Sequence, residues 1–220
     1  MTRINVGNIR HPDASADALQ LTSGGDVQVI RALGLGGATY GTSGQVLTSG
    51  GASTAPSWTT ISTSNLTRMT EVATTSGNEI DVTGIPSGVR KILISFDHVS
   101  SSATNRVRLQ IGDSGGIEES GYDSGSSYQG SGGYPSMIED TSGFMIKPLT
   151  GSDYEINGTL TLLNASGNKW VGSWVSYGGG FYCQFGGGTK TLSGELTQLR
   201  FENLGTDTFD LGNITVFYEV

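Results

Sequence analysis

The chain has a single cysteine, Cys183, so it can build neither an internal disulfide framework nor a thiolate metal cage. Charged residues are scarce, at 15% of 220, against about 25% in an ordinary globular chain. What charge there is sums to −8, with a pI near 4.6, and this argues against nucleic-acid binding, which needs a basic face. No apolar run approaches the ~20 residues of a membrane-spanning helix. Met1–Arg10 lacks the charged start and apolar stretch of a secretory leader. Helical periodicity is nearly absent, and no glycine-every-third repeat suggests collagen. Serine, threonine and 35 glycines take the place of the missing groups. The composition predicts a soluble, β-rich, polar protein without a cofactor, nucleic-acid partner or membrane insertion.

Charge and apolar content divide the chain in two. Residues 1–60 hold Arg3, Arg10 and Arg31 against Asp13, Asp17 and Asp26, a balance of zero. The remaining nine basic and seventeen acidic groups therefore carry the whole −8. Large apolar residues in the front region come singly or in short groups such as Val27, Val29 and Ile30, separated by Gly/Ser/Thr/Ala stretches. So thin a segment cannot bury a core alone, since even well-composed domains of about 60 residues are marginal. The sequence Leu21-Thr-Ser-Gly-Gly25 recurs as Leu47-Thr-Ser-Gly-Gly51, too few copies for a solenoid. Two readings stand: a shaft whose apolar face is completed by sister chains, or a flexible linker. The boundary is placed at 1–62 for the anchor and shaft and 63–220 for a head.

From Leu66 onward, period-two alternation takes over. Ile92, Ile94, Phe96 and His98 share one face, as do Val107, Leu109 and Ile111, Leu199 and Phe201, and Ile214, Val216, Tyr218 and Val220. Asn-Gly, Ser-Gly-Asn and Gly-Gly-Gly turn signals bound further runs. About eight to eleven short strands predict an antiparallel two-sheet sandwich, jelly-roll-like in type. Between Gly112 and Gly143 the alternation stops in a Gly/Ser/Tyr-rich stretch of loop length, with Tyr122 and Tyr128 on a short irregular strand within it. A loop that long inside a compact domain is functional or disordered.

Two stretches carry a family resemblance. Tyr40-Gly-Thr-Ser-Gly-Gln-Val-Leu-Thr-Ser-Gly-Gly-Ala-Ser-Thr-Ala-Pro-Ser-Trp58 resembles a module of bacteriophage tail fibres. Ile85–Phe96, Leu109–Gly116, Ser120–Tyr122, Leu160–Asn164, Lys190–Gly194 and Gly205–Asp210 together resemble the C-terminal domains of phage fibre proteins. The opening Ile4–Asp13 is similar to virion-anchoring segments. The resemblance implies a non-enzymatic homotrimeric fibre, made in the host cytoplasm and located on the virion. It would be attached to tail or capsid proteins by its N-terminus and would recognise a host-surface glycan or protein by its C-terminal head. A purely structural tail or capsid component, without receptor binding, is the other reading; a polysaccharide-degrading tailspike is a third.

Glycan contact favours aromatic faces among neutral hydrogen-bonding groups, as in antibody loops. Tyr122, Tyr128 and Tyr134 fit this description, and Trp174, two alternations from Trp170, offers either core packing or a stacking platform. Asp113, Glu118, Glu119 and Asp123 make the long loop acidic. They read as a solvated loop, with a cation site as the alternative, although EF-hand spacing is missing. Glu139 and Asp140 extend the acidity, but carboxylates on a glycine loop are poorly preorganised for hydrolysis. Cys183 reads as a buried small apolar residue and His98 as a core or edge residue; His11 lies too far along the chain to imply a zinc pair.

Overall fold

The computed structural model describes residues 8–9, 19–29, 33–35, 39–61, 66–129, 136–147, 155–179 and 182–220. The chain divides into two compact units, Met1–Thr63 and Ser64–Val220. Every strand pair described is antiparallel, and no helix occurs among the described residues.

In the first unit, β1 (Asn8–Ile9), β2 (Leu19–Leu21) and β3 (Val27–Val29) form a three-stranded sheet in that order. β4 (Gln45–Thr48) and β5 (Ser57–Thr60) form a separate hairpin. The near-repeat has one structural meaning in both places. Its Leu-Thr pair ends or follows a strand, and its second glycine, Gly25 or Gly51, takes a left-handed φ of 88° or 89° in the hairpin turn. That conformation costs an L-residue energy and glycine nothing. The Gly44–Trp58 motif is likewise the hairpin itself. Gln45 Oε1 accepts the Thr42 N–H at 2.8 Å, and Trp58 lies so close over Gly41 that a Cβ there would sit 2.9 Å from the indole.

In the second unit the strands are β6 (Thr67–Arg68), β7 (Val72–Ala73), β8 (Glu79–Thr83), β9 (Lys91–Ser101), β10 (Val107–Asp113), β11 (Gly116–Ile117) and β12 (Tyr122–Gln129). They continue with β13 (Ser136–Asp140), β14 (Phe144–Lys147), β15 (Ile156–Ser166), β16 (Lys169–Gly178), β17 (Tyr182–Thr191), β18 (Gln198–Asn203) and β19 (Phe209–Glu219). The larger sheet runs β13-β12-β17-β16-β15-β9-β19-β6, with β7 also on β19. The smaller runs β11-β10-β18-β8, with β14 also on β10. Inward side chains of the two meet edge to face: Phe96 on Phe201 at 5.9 Å and Phe144 on Trp174 at 6.1 Å between ring centroids. Such pairs add about 0.5–1.5 kcal/mol beyond their burial. The all-β, sandwich-like expectation for this unit agrees with what is seen.

Three local expectations need correction. The Gly112–Gly143 stretch is largely strand, because β12 pairs with β17 at eight successive positions and β13 pairs back on β12. Serine and glycine have no hydrophobic alternation to read, yet they suit close packing. A Cβ on Gly188 would lie 2.7 Å from that of Ser124, and one on Gly186 would run into the Trp174 indole. His98 does not continue the buried face of Ile92, Ile94 and Phe96. It takes φ of 52° at a bulge opposite Gly212, which shifts the register so that Val99 turns inward and the imidazole is exposed. Cys183 is exposed rather than buried, since the inward parity of β17 belongs to Gln184.

Candidate functional site

Tyr122 and Trp174 are core residues, and this corrects the expectation that they present their faces to a receptor. Tyr122 opens β12 on its inward side, packs edge-on against Phe144 at 5.2 Å, and is 3% exposed. Its hydroxyl accepts the Ile111 N–H at 2.7 Å and donates to the Glu118 carbonyl at 2.8 Å. The phenol is thus a clamp between β10 and the following turn, and burial pushes its pKa far above the usual value. Trp174 is sealed between Phe144 and the glycine track of β17, which is the core-packing alternative. Tyr134 lies outside the described residues.

Of the predicted tyrosines that are described, Tyr128 is the one that is not buried in the core. It is half-buried, and its ring meets that of Tyr182 at 6.2 Å in a T-shaped pair. Directly behind them the core-facing side of the larger sheet changes from apolar to neutral polar. One cross-strand row reads Tyr128–Gln184–Ser176 and the next Ser126–Gly186–Trp174. Five buried polar atoms in these rows have no protein partner: Ser126 Oγ, Ser176 Oγ, Trp174 Nε1, and both Nε2 and Oε1 of Gln184. Gln184 is fully buried, and Ser126, Ser176 and Trp174 are nine-tenths buried or more. Leaving such a group unpaired costs about 1–3 kcal/mol, so a buried cluster of this kind is one that internal water satisfies.

Sequence reasoning missed Gln184, Ser126 and Ser176. Ser176 was readable, because it shares the parity of Trp170 and Trp174; the other two sit in glycine- and serine-rich strands whose inward face no alternation announces.

The acidic residues do not assemble. Among the described residues no three His, Cys, Asp or Glu side chains come close enough to hold a metal ion. Asp123 and Glu119 are exposed, whereas Glu118 pairs with the buried Lys190 at 2.5 Å and shares Ser193 Oγ with Asp113, at 2.8 Å each. Burial would raise the Glu118 carboxyl, but the Lys190 ammonium and the Ser193 N–H and hydroxyl together hold it below the ordinary value. These groups tie the β11–β12 turn to the β17–β18 connection.

A cleft of about 390 Å³ opens where the β8–β9, β15–β16 and β17–β18 connections meet, beside Arg90, Asn164, Asn168 and Glu195. Its polar groups are largely engaged in holding those loops. Glu195 Oε1 accepts from Gly88 N at 2.6 Å and Ser87 Oγ at 3.1 Å, and Asn164 Nδ2 donates to Gly167 O at 2.7 Å. Comparison of the chain with protein-family models, curated proteins and solved structures finds no match in any of the three.

Proposed function

We propose that this chain is a homotrimeric virion fibre of a bacteriophage, with an N-terminal anchor and shaft and a jelly-roll-like head that recognises a neutral glycan on the host surface. The observation that carries the reading is the state of the first unit: among those of its residues whose side chains are described, none is buried. Val27, Val29, Leu33, Tyr40, Val46, Leu47 and Ile61 are all exposed in the single chain. Strands with apolar side chains and no core of their own gain one by association, and three copies around an axis supply it. The resemblance of Gly44–Trp58 to tail-fibre modules points the same way. Three heads on one shaft also convert weak individual contacts into avid binding without new chemistry.

The contact site proposed on the head is the Tyr128–Tyr182 ring pair. The two half-buried rings would stack on sugar faces, whereas Gln184, Ser126 and Ser176 are sealed from solvent and touch no external ligand. The reaction class proposed is recognition without catalysis.

The test is competition for adsorption by the purified full chain. Wild type is expected to block attachment of the particle that carries it, and the double variant Tyr128→Ala, Tyr182→Ala to need about tenfold or more protein, from two ring contacts at about 1 kcal/mol each. Wild type that does not compete, together with immunolabelling that finds the head enclosed between virion proteins, would favour the assembly component instead.

A further inference from the structure

Among the described residues, nothing covers the apolar side chains on the face of the larger sheet opposite the core. Alternation along β16 buries Trp170 and Trp174 and turns Val171, Val175 and Tyr177 outward. The cross-strand pairs Val175↔Phe185, Val171↔Leu163 and Ser127↔Met137 extend the same face over β17, β15, β12 and β13. These six apolar side chains are 39–73% exposed. Isolated surface hydrophobics are ordinary, but a contiguous patch across neighbouring strands marks an interaction surface.

Charge and size narrow the occupant. Residues 159–163, 171–177 and 183–189, the middle of this face, contain no Asp, Glu, Lys, Arg or His. Residues 61–220 otherwise carry seventeen acidic groups against nine basic ones. Two copies of so acidic a chain repel over most of their surface. They can meet at low electrostatic cost on the middle of this face, the exposed Asp123 and Glu139 lying toward its β12-β13 edge. Four strands about 4.8 Å apart and about nine residues long make a plane of roughly 19 by 30 Å. That is on the order of 570 Å² in projection, close to the ~800 Å² that each partner contributes to a standard interface.

We infer that the outer face of the β12-β17-β16-β15 sheet packs against sister copies of the same chain, so that the heads associate through it as well as through the shaft. This rests on the trimeric reading above and adds the face. Val175 and Phe185 are its centre, and the exposed Cys183, beside Tyr177 in register, lies within it.

The experiment measures native mass and the rate of maleimide labelling of Cys183 on the full chain. The expected result is a three-chain mass with labelling slowed by about tenfold relative to the same chain carrying Val175→Lys and Phe185→Lys. Tenfold corresponds to about 1.4 kcal/mol of protection. Both positions are solvent-exposed in the single chain, so the variant keeps its fold, and circular dichroism verifies this. A three-chain mass with Cys183 as reactive as in the double variant would overturn the face and leave the fibre reading standing. A one-chain mass would overturn both. Wild-type protection also stands as a test by itself, against labelling in denaturant, should the double variant fail to fold.

Discussion

Lys147 is the residue whose surroundings fit its chemistry least. It ends β14 fully buried, opposite Val107, and among the described residues its ammonium reaches only the Ser101 hydroxyl, at 3.4 Å. That hydroxyl donates in turn to Asn203 Oδ1 at 2.6 Å. Burial lowers the Lys147 pKa below its ordinary 10.5, against the opposing pull of Asp207 and Asp210. The sign follows from linkage. Above pH 10.5 the amine is neutral in folded and unfolded chains alike and costs nothing. As pH falls below that value the unfolded chain takes up the proton first, so stability declines until the folded-state pKa is passed, and the loss then persists at neutral pH. Lys147→Met is therefore expected to stabilise the head by about 1 kcal/mol or more at pH 7, or ~2–4 °C in Tm. The gain should shrink toward pH 10.5. Melting curves across pH check this, and a Tm that drops at pH 7 would show that the ammonium is better satisfied than its contacts indicate.

Among the elements, the β9–β19 bulge has the largest effect on which side chains reach the surface. His98 stands in the left-handed region, and Gly212 across from it has φ of 94° with no room for a side chain, since a Cβ would collide with the His98 carbonyl group. Asp97 accepts from the His98 imidazole at 2.6 Å and raises its pKa, but both side chains are largely exposed. The backbone rather than this pair sets the geometry. Gly212→Ala is accordingly expected to destabilise the head by about 1–3 kcal/mol, while His98→Gly should be neutral or stabilising by up to about 1 kcal/mol. Urea denaturation of the two variants separates them. The strands on either side were readable from alternation: Ile92, Ile94 and Phe96 on β9, and Ile214 and Val216 on β19, are all buried. The bulge was not, because one residue of register slip leaves no mark on a period-two pattern until the partner strand is known.

For the whole molecule, the two units differ in how they can be stable. The second unit has a continuous core from Ile80 to Val216, whereas the first unit has no buried residue among those whose side chains are described. If the first unit takes its core from sister copies, its protease resistance is a function of protein concentration and that of the head is not. Limited proteolysis of the full chain is expected to cut within residues 1–63 on dilution and to leave 64–220 whole. Resistance of the front segment at every dilution would mean that it is stable without partners.

The amino-acid sequence by itself determined the β class, the thinness of the front quarter, and the apolar faces of β9, β10, β16, β18 and β19, because each follows from local periodicity and composition. Only the tertiary structure decided what the glycine- and serine-rich strands do. β12 and β17 have few large side chains, so their inward and outward faces are defined by what lies across from them. Pairing there buries Tyr122 and Trp174, leaves Gln184 unpaired in the core, and turns Phe185 and Cys183 outward. Small residues accept either face, and it is the bulk of the neighbouring strand that selects one.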